Sequence, residues 1–223
     1  MFVCLVNHGL EMQFILYFGC CQPLQGLFSP RQEHAAVLTV SGVLLVGGRA
    51  AAGFQSDVWK YEFSGEFCSL DWQGTWSQVT ASAAWNPRHG HSLVGFAAPF
   101  STSSTGSSSA TTILMIGGYG GQEIRSSVRK DNTQNASDTI MARSDIWCAS
   151  RSLNNFATWR RLAPNAPFTP RSQAVAVIAP TIAEFSMIFF GGYDERAQAT
   201  VDLWRWSGEN STADCGLDNM MFA

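Results

Sequence analysis

His89 and His91 stand two residues apart, close enough to share one face of an extended strand and hold a metal ion. A zinc-type site needs three or four ligands, and the sequence places no third beside them, so no metal is assigned. Imidazoles also titrate near neutral pH, which makes His34, His89 and His91 candidates for acid–base work with loop carboxylates. The surrounding element recurs as Arg31-Gln32-Glu33-His34, Arg88-His89-Gly90-His91 and Arg171-Ser172-Gln173-Ala174. The third copy replaces the imidazole by Ala174, so the histidine is not needed in every copy. The Gly47-Gly48, Gly117-Gly118 and Gly191-Gly192 pairs suggest phosphate cradles, but each lies between strands with no helix N-terminus to complete such a cradle. No G-x-S-x-G, H-E-x-x-H or P-loop motif occurs, and no catalytic or cofactor-binding residue is assigned.

The elements that position these residues repeat three times. A β-rich apolar run ends in each Gly-Gly pair: Val43 to Val46, Ile113 to Ile116 and Met187 to Phe190. An Asp-hydrophobic-Trp triplet follows each: Asp57-Val58-Trp59, Asp145-Ile146-Trp147 and Asp202-Leu203-Trp204. A second tryptophan, Trp76 or Trp159, closes the first two copies. Self-similarity at this scale makes the chain a repeat protein.

Arg, apolar strand, Gly-Gly and Asp-x-Trp in fixed order resemble the kelch repeat over roughly residues 30 to 207. That resemblance implies an all-β fold of four-stranded antiparallel blades, a β-propeller, here with about three blades and therefore incomplete. It also implies that the arginine and histidine starting each repeat are structural hydrogen-bonding residues. The copies are stretched, Gly47 to Gly117 spanning 70 residues and Gly117 to Gly191 spanning 74, against about 50 for a kelch unit. The copper oxidases on related propellers use Tyr, His and Cys ligands that map onto nothing here.

On this reading residues 1–28 are unassigned, residues 29–80 form blade 1, and 81–163 form blade 2 with insertions at 98–112 and 119–143. Residues 164–210 form an incomplete blade 3, and 211–223 a tail. Expected strands are 35–40, 43–46, 58–63 and 76–79, then 91–97, 112–116, 145–149 and 159–162, then 173–178, 187–190 and 201–206. No fourth strand is expected in blade 3. Ser41-Gly42 reads as a two-residue hairpin turn. The glycines are expected to end the strand in a tight turn with close backbone approach. The recurring tryptophans are expected to pack between sheets rather than form a sugar-stacking platform. In the N-terminal segment, Phe14 to Cys21 is apolar but too short to span a membrane. It reads either as a signal peptide lacking a basic start or, at Ile15 to Gly19, as a strand of a decayed blade.

Charged residues make up only 14% of the 223, against 46% hydrophobic, and the net charge is −3. That balance suits stacked sheets and gives no electrostatic reason for a nucleic-acid partner. Six cysteines lack zinc spacing and suggest no disulfide framework, which argues against secretion. The sequons at Asn135 and Asn210 and the Ser/Thr tract at 101–112 argue for it, so cytoplasmic and secreted locations both stay open.

The favoured function is a non-catalytic protein-interaction module. Loops on a rigid scaffold carry recognition, and the 119–143 insertion belongs to the b–c and d–a loop face. That face carries Arg49, Tyr119, Arg125, Arg129, Lys130, Tyr193 and Arg196, types common among interface anchors. The partner would be another protein with an acidic segment, or an anionic glycan. Further blades, in cis or in trans, would close the ring. A glycan-binding or adhesion module outside the cell is the alternative, and an enzyme using His89 and His91 the third.

Overall fold

The computed structural model describes residues 3–8, 11–16, 27–39, 41–64, 73–97, 111–121, 141–151, 154–180, 185–208, 215 and 221–222. Every regular element among them is a β-strand, and every pairing is antiparallel.

A first hairpin joins β1 (Val3–His8) to β2 (Glu11–Leu16), with His8 opposite Glu11. Of the strand alternative at Ile15 to Gly19, Ile15 and Leu16 belong to β2, and residues 17–19 lie outside the described ones. Sheet I contains β3 (Arg31–Gln32), β4 (Ala35–Thr39), β5 (Gly42–Ala50), β6 (Gly53–Ser64) and β7 (Gln73–Thr80). Here the glycines do not end the strand. β5 runs through Gly47-Gly48 with a register shift between Val46 and Gly48, and continues to pair with β6 up to Ala50 opposite Gly53. A bulge absorbs the extra residue and tightens the local twist, so the hairpin extends beyond the core instead of turning at the glycines.

Next comes a short three-stranded sheet of β8 (Arg88–His89), β11 (Tyr119–Gly120) and β12 (Met141–Ala142). Sheet II has the order β14-β13-β10-β9, with β9 (Ser92–Ala97), β10 (Thr111–Ile116), β13 (Ile146–Ser150) and β14 (Arg160–Ala163). Thr111 and Thr112 belong to β10, which trims the expected 98–112 insertion, while β11 and β12 pair the two ends of the 119–143 insertion. Sheet III has the order β15-β16-β17-β18, from β15 (Val175–Pro180), β16 (Phe185–Phe190), β17 (Leu203–Gly208) and β18 (Met221–Phe222). β18 corrects the expectation of a three-stranded last unit: Phe222 pairs with Trp206 and Met221 with Ser207. Two residues without a tryptophan are too short a run to read as a strand.

The sheets stack because each strand alternates its side chains between two apolar faces. Leu44, Val46 and Val58 of sheet I meet Ile113, Met115, Trp147 and Ala149 of sheet II. The opposite face of sheet II, with Val94, Leu114, Ile116, Ile146 and Cys148, meets Met187, Phe189 and Trp206 of sheet III. On the outer side of sheet I, Leu45, Trp59, Tyr61 and Trp76 form a smaller cluster with Phe28. Trp59, Trp76, Trp147 and Trp159 are all buried.

A disulfide joins Cys148 to Cys215 across 67 residues, and both are buried. It ties the connection between β17 and β18 to the third strand of sheet II. The spacing of the cysteines suggested no framework, because a single long-range bridge leaves no local pattern.

Candidate functional site

Each repeat is locked by one latch built on a buried arginine. Arg31 Nη1 donates to Asp57 at 2.6 Å and Nη2 at 2.9 Å, a bidentate pair that suits the planar guanidinium. Arg88 holds Asp145 at 2.6 and 2.9 Å, and Arg171 holds Asp202 at 2.5 and 2.7 Å. The same guanidinium donates to the carbonyl of the first glycine: Gly47, Gly117 or Gly191. The tryptophan two residues beyond the aspartate donates its indole N–H to it, since i and i+2 share a strand face. Burial alone would raise the Asp145 carboxyl, but the hydrogen bonds and charge of Arg88 outweigh it and hold the group below its usual value. Hydrogen bonding to Arg171 holds Asp202 down at about 2.

An aromatic ring three residues before each arginine completes the latch. Phe28, Trp85 and Phe168 lie under the guanidinium of Arg31, Arg88 and Arg171 at 5.3, 5.9 and 5.7 Å. The signal is an aromatic-x-Pro-Arg tetrapeptide: Phe28-Ser29-Pro30-Arg31, Trp85-Asn86-Pro87-Arg88 and Phe168-Thr169-Pro170-Arg171.

The residues after the arginines link the sheets to one another. Glu33, Gly90 and Gln173 occupy the same place in each repeat, and all three have positive φ, at 52°, 61° and 56°. Gly90 N–H donates to the Glu33 carbonyl at 2.8 Å, and Gln173 N–H to the Gly90 carbonyl at 2.6 Å. A backbone chain thus steps from sheet I to II to III. The left-handed turn at Gly90 lies between His89 and His91, so the two do not follow one another on an extended strand and take different surroundings. His91 is buried beside Trp85 and Gly47, and burial, then the Arg88 charge, lowers it to about 3. His34 is lowered to about 4 by burial and by Arg31. Its Cβ lies where a side chain on Gly48 would start, 2.8 Å away; His91 stands in the same relation to Gly118. These two imidazoles fill space beside glycines and stay neutral, as poor acid–base groups at physiological pH.

His89 instead lies at the mouth where the three repeats meet. Its Nδ1 is 2.5 Å from Glu33 Oε2, and Gln173 Nε2 donates to the same oxygen at 3.3 Å, so three repeats meet on one carboxylate. The ring lies between Phe54 at 4.8 Å and Tyr119 at 5.7 Å, and the Arg49 guanidinium sits 6.0 Å over Phe54. Of the expected partner residues, Arg49 and Tyr119 are brought together here. Tyr193 is exposed and exchanges backbone hydrogen bonds with Ser172, beside Gln173. Arg196 is exposed in the turn closed by Asp194. Arg125, Arg129, Lys130, Asn135 and Asn210 lie outside the described residues. Glu33, Phe54 and Gln173 were not expected at the site; their placement depends on cross-sheet pairing that no local motif encodes. Among the described residues no group of three metal-ligating side chains occurs, and no helix is long and apolar enough to cross a membrane.

No family model and no curated protein matches the chain. Solved structures do. The structure of YjhT superposes with a TM-score of 0.54 at 13% identity, over 92% of this chain and 48% of that one. A RAG complex with one melted and one unmelted RSS superposes with a TM-score of 0.55 at 13% identity, over 96% of this chain and 56% of that one. The chain therefore spans about half the length of the solved chains it matches. At this identity the likeness concerns the β-sheet fold alone.

Proposed function

We propose that the chain is a kelch-type β-propeller segment acting as a non-catalytic interaction module, with its partner bound at the axial mouth. The observation that carries this reading is the convergence of Glu33, His89 and Gln173, one from each repeat, between the rings of Phe54 and Tyr119. The propeller reading is supported by three stacked antiparallel sheets, each fastened by the same Arg–Asp–Trp latch and joined by the axial backbone chain. The mouth offers aromatic faces, an exposed Arg49 and polar donors, a mixture suited to an acidic peptide segment or an anionic glycan. The Cys148–Cys215 disulfide favours an oxidising compartment, so a recognition module outside the cell is the second reading.

Fluorescence anisotropy with a labelled polyglutamate peptide and a sulfated oligosaccharide tests the site. Binding of one of them, weakened about tenfold or more in a His89→Ala/Tyr119→Ala variant that melts like the parent, supports the mouth. Equal binding by both proteins moves the site to the opposite loops. No binding of either probe removes the anionic-ligand reading.

A further inference from the structure

The outer faces of sheets I and III differ from the internal interfaces at positions that correspond from repeat to repeat. In sheets I and II the residue before the first glycine is sealed, Val46 at 0% and Ile116 at 1% exposure, whereas Phe190 of sheet III is 39% exposed. The residue between aspartate and tryptophan behaves alike: Val58 and Ile146 are at 0%, but Leu203 is at 63%. Val175 and Val177 of β15 extend the same apolar face. Glycine geometry agrees. A Cβ at Gly47 would meet the Arg88 carbonyl of the next repeat at 3.0 Å, and one at Gly117 the Arg171 carbonyl at 2.9 Å, while at Gly191 nothing lies nearer than Thr200 at 3.9 Å. In the described residues the axial backbone chain likewise stops at the Gln173 carbonyl.

The surface that covers such a face is also present, at the other end. Trp85 and Phe168 enter the two internal interfaces and are each 2% exposed. Their counterpart Phe28, on the outer side of sheet I, is only half-buried, edge-on to Trp76 at 4.9 Å. Val43, the counterpart of the buried Ile113 and Met187, is also partly open.

We propose that a second copy of this chain docks head to tail, the outer side of its sheet I seated on the free face of sheet III. Phe28 of the arriving copy takes the place that Trp85 and Phe168 hold internally. Its Arg31 carbonyl faces Gly191, and its Glu33 N–H extends the axial chain to the Gln173 carbonyl. The contact is heterologous, with different surfaces on the two copies. It is independent of the axial-mouth reading, because only Glu33 and Gln173 of the mouth take part, each through its backbone and not its side chain.

The test uses two variants, each disabling one half: Leu203→Asp on sheet III and Phe28→Ser on sheet I. Light scattering coupled to size-exclusion chromatography should give the parent at least twice its 24.3 kDa mass, and each variant alone the monomer mass. Mixed, the two should form a one-to-one complex through their remaining halves. Circular dichroism and melting verify folding; Val201→Asp, at a 98% exposed position beside Leu203, and Val43→Lys repeat the test if either first variant is unfolded. A parent that stays monomeric at tens of micromolar overturns the proposal. So does a mixture that stays monomeric, or a Phe28→Ser protein that still self-associates.

Discussion

Replacing Arg88 by methionine keeps the aliphatic stem and removes the guanidinium from a site where it is 1% exposed. Four hydrogen bonds go with it, to Asn86, to Gly117 and two to Asp145. Asp145 is then left buried with the Trp147 indole at 2.7 Å and the more distant charge of Arg143. Removing one partner of a buried pair costs about 3–5 kcal/mol because the other charge is stranded. Against a total stability of about 5–15 kcal/mol, that is a large fraction. The third latch provides the control. Asp202 has a side chain 40% exposed, so in Arg171→Met water can solvate the abandoned carboxylate, and the loss falls to about 1–3 kcal/mol. Urea denaturation followed by tryptophan fluorescence measures both. Adding Asp145→Asn to Arg88→Met should recover part of the loss by removing the stranded charge. If Arg88→Met costs under about 1 kcal/mol, or no more than Arg171→Met, burial of the latch is not what makes it stabilising.

Acid should weaken the fold in two windows. His34 and His91, lowered to about 4 and about 3, contribute stability that is full above the unfolded value near 6.5 and is lost as pH falls towards those values. The expected slope reaches about 1.4 kcal/mol per pH unit for each histidine. His91→Ala should roughly halve that slope in denaturation curves taken between pH 6 and 4.5; an unchanged slope would contradict it. Asp202, held at about 2, loses its contribution only below the usual carboxylate range near 3.8, and a titration followed by nuclear magnetic resonance should find it still ionised at pH 3. Reducing the Cys148–Cys215 bridge, which closes 67 residues, should cost about 4 kcal/mol by chain entropy. Calorimetry with and without a thiol reductant measures it, and an unchanged melting temperature would show that the bridge does not constrain the unfolded chain.

The strands and latch residues were legible in the sequence because they recur. Arg31, Arg88 and Arg171, the three Asp-x-Trp triplets and the Gly-Gly pairs each appear three times in order. That each arginine reaches forward to an aspartate 26, 57 or 31 residues away was not legible, since pairing across a sheet depends on register and not on spacing. The aromatic before each Pro-Arg was visible but changes between Phe and Trp and sits in loop-like sequence. Glu33 and Gln173 adopt a left-handed conformation that is uncommon for such residues. Only neighbouring sheets impose it, so the separation of His89 from His91 could not be read from their spacing. The mouth assembled from Glu33, His89 and Gln173 stayed hidden for the same reason.

The backbone chain through Glu33, Gly90 and Gln173 makes the described sheets behave as a one-dimensional array in which each unit is coupled to its neighbours. Damage then depends on rank as much as on chemistry. A lesion that unravels sheet II severs both couplings within the chain, Glu33 to Gly90 and Gly90 to Gln173, whereas one in sheet III severs one of them. The middle unit is therefore the keystone of the array. Within the three described sheets, substitutions of equal local severity should disturb the chain of couplings most in sheet II.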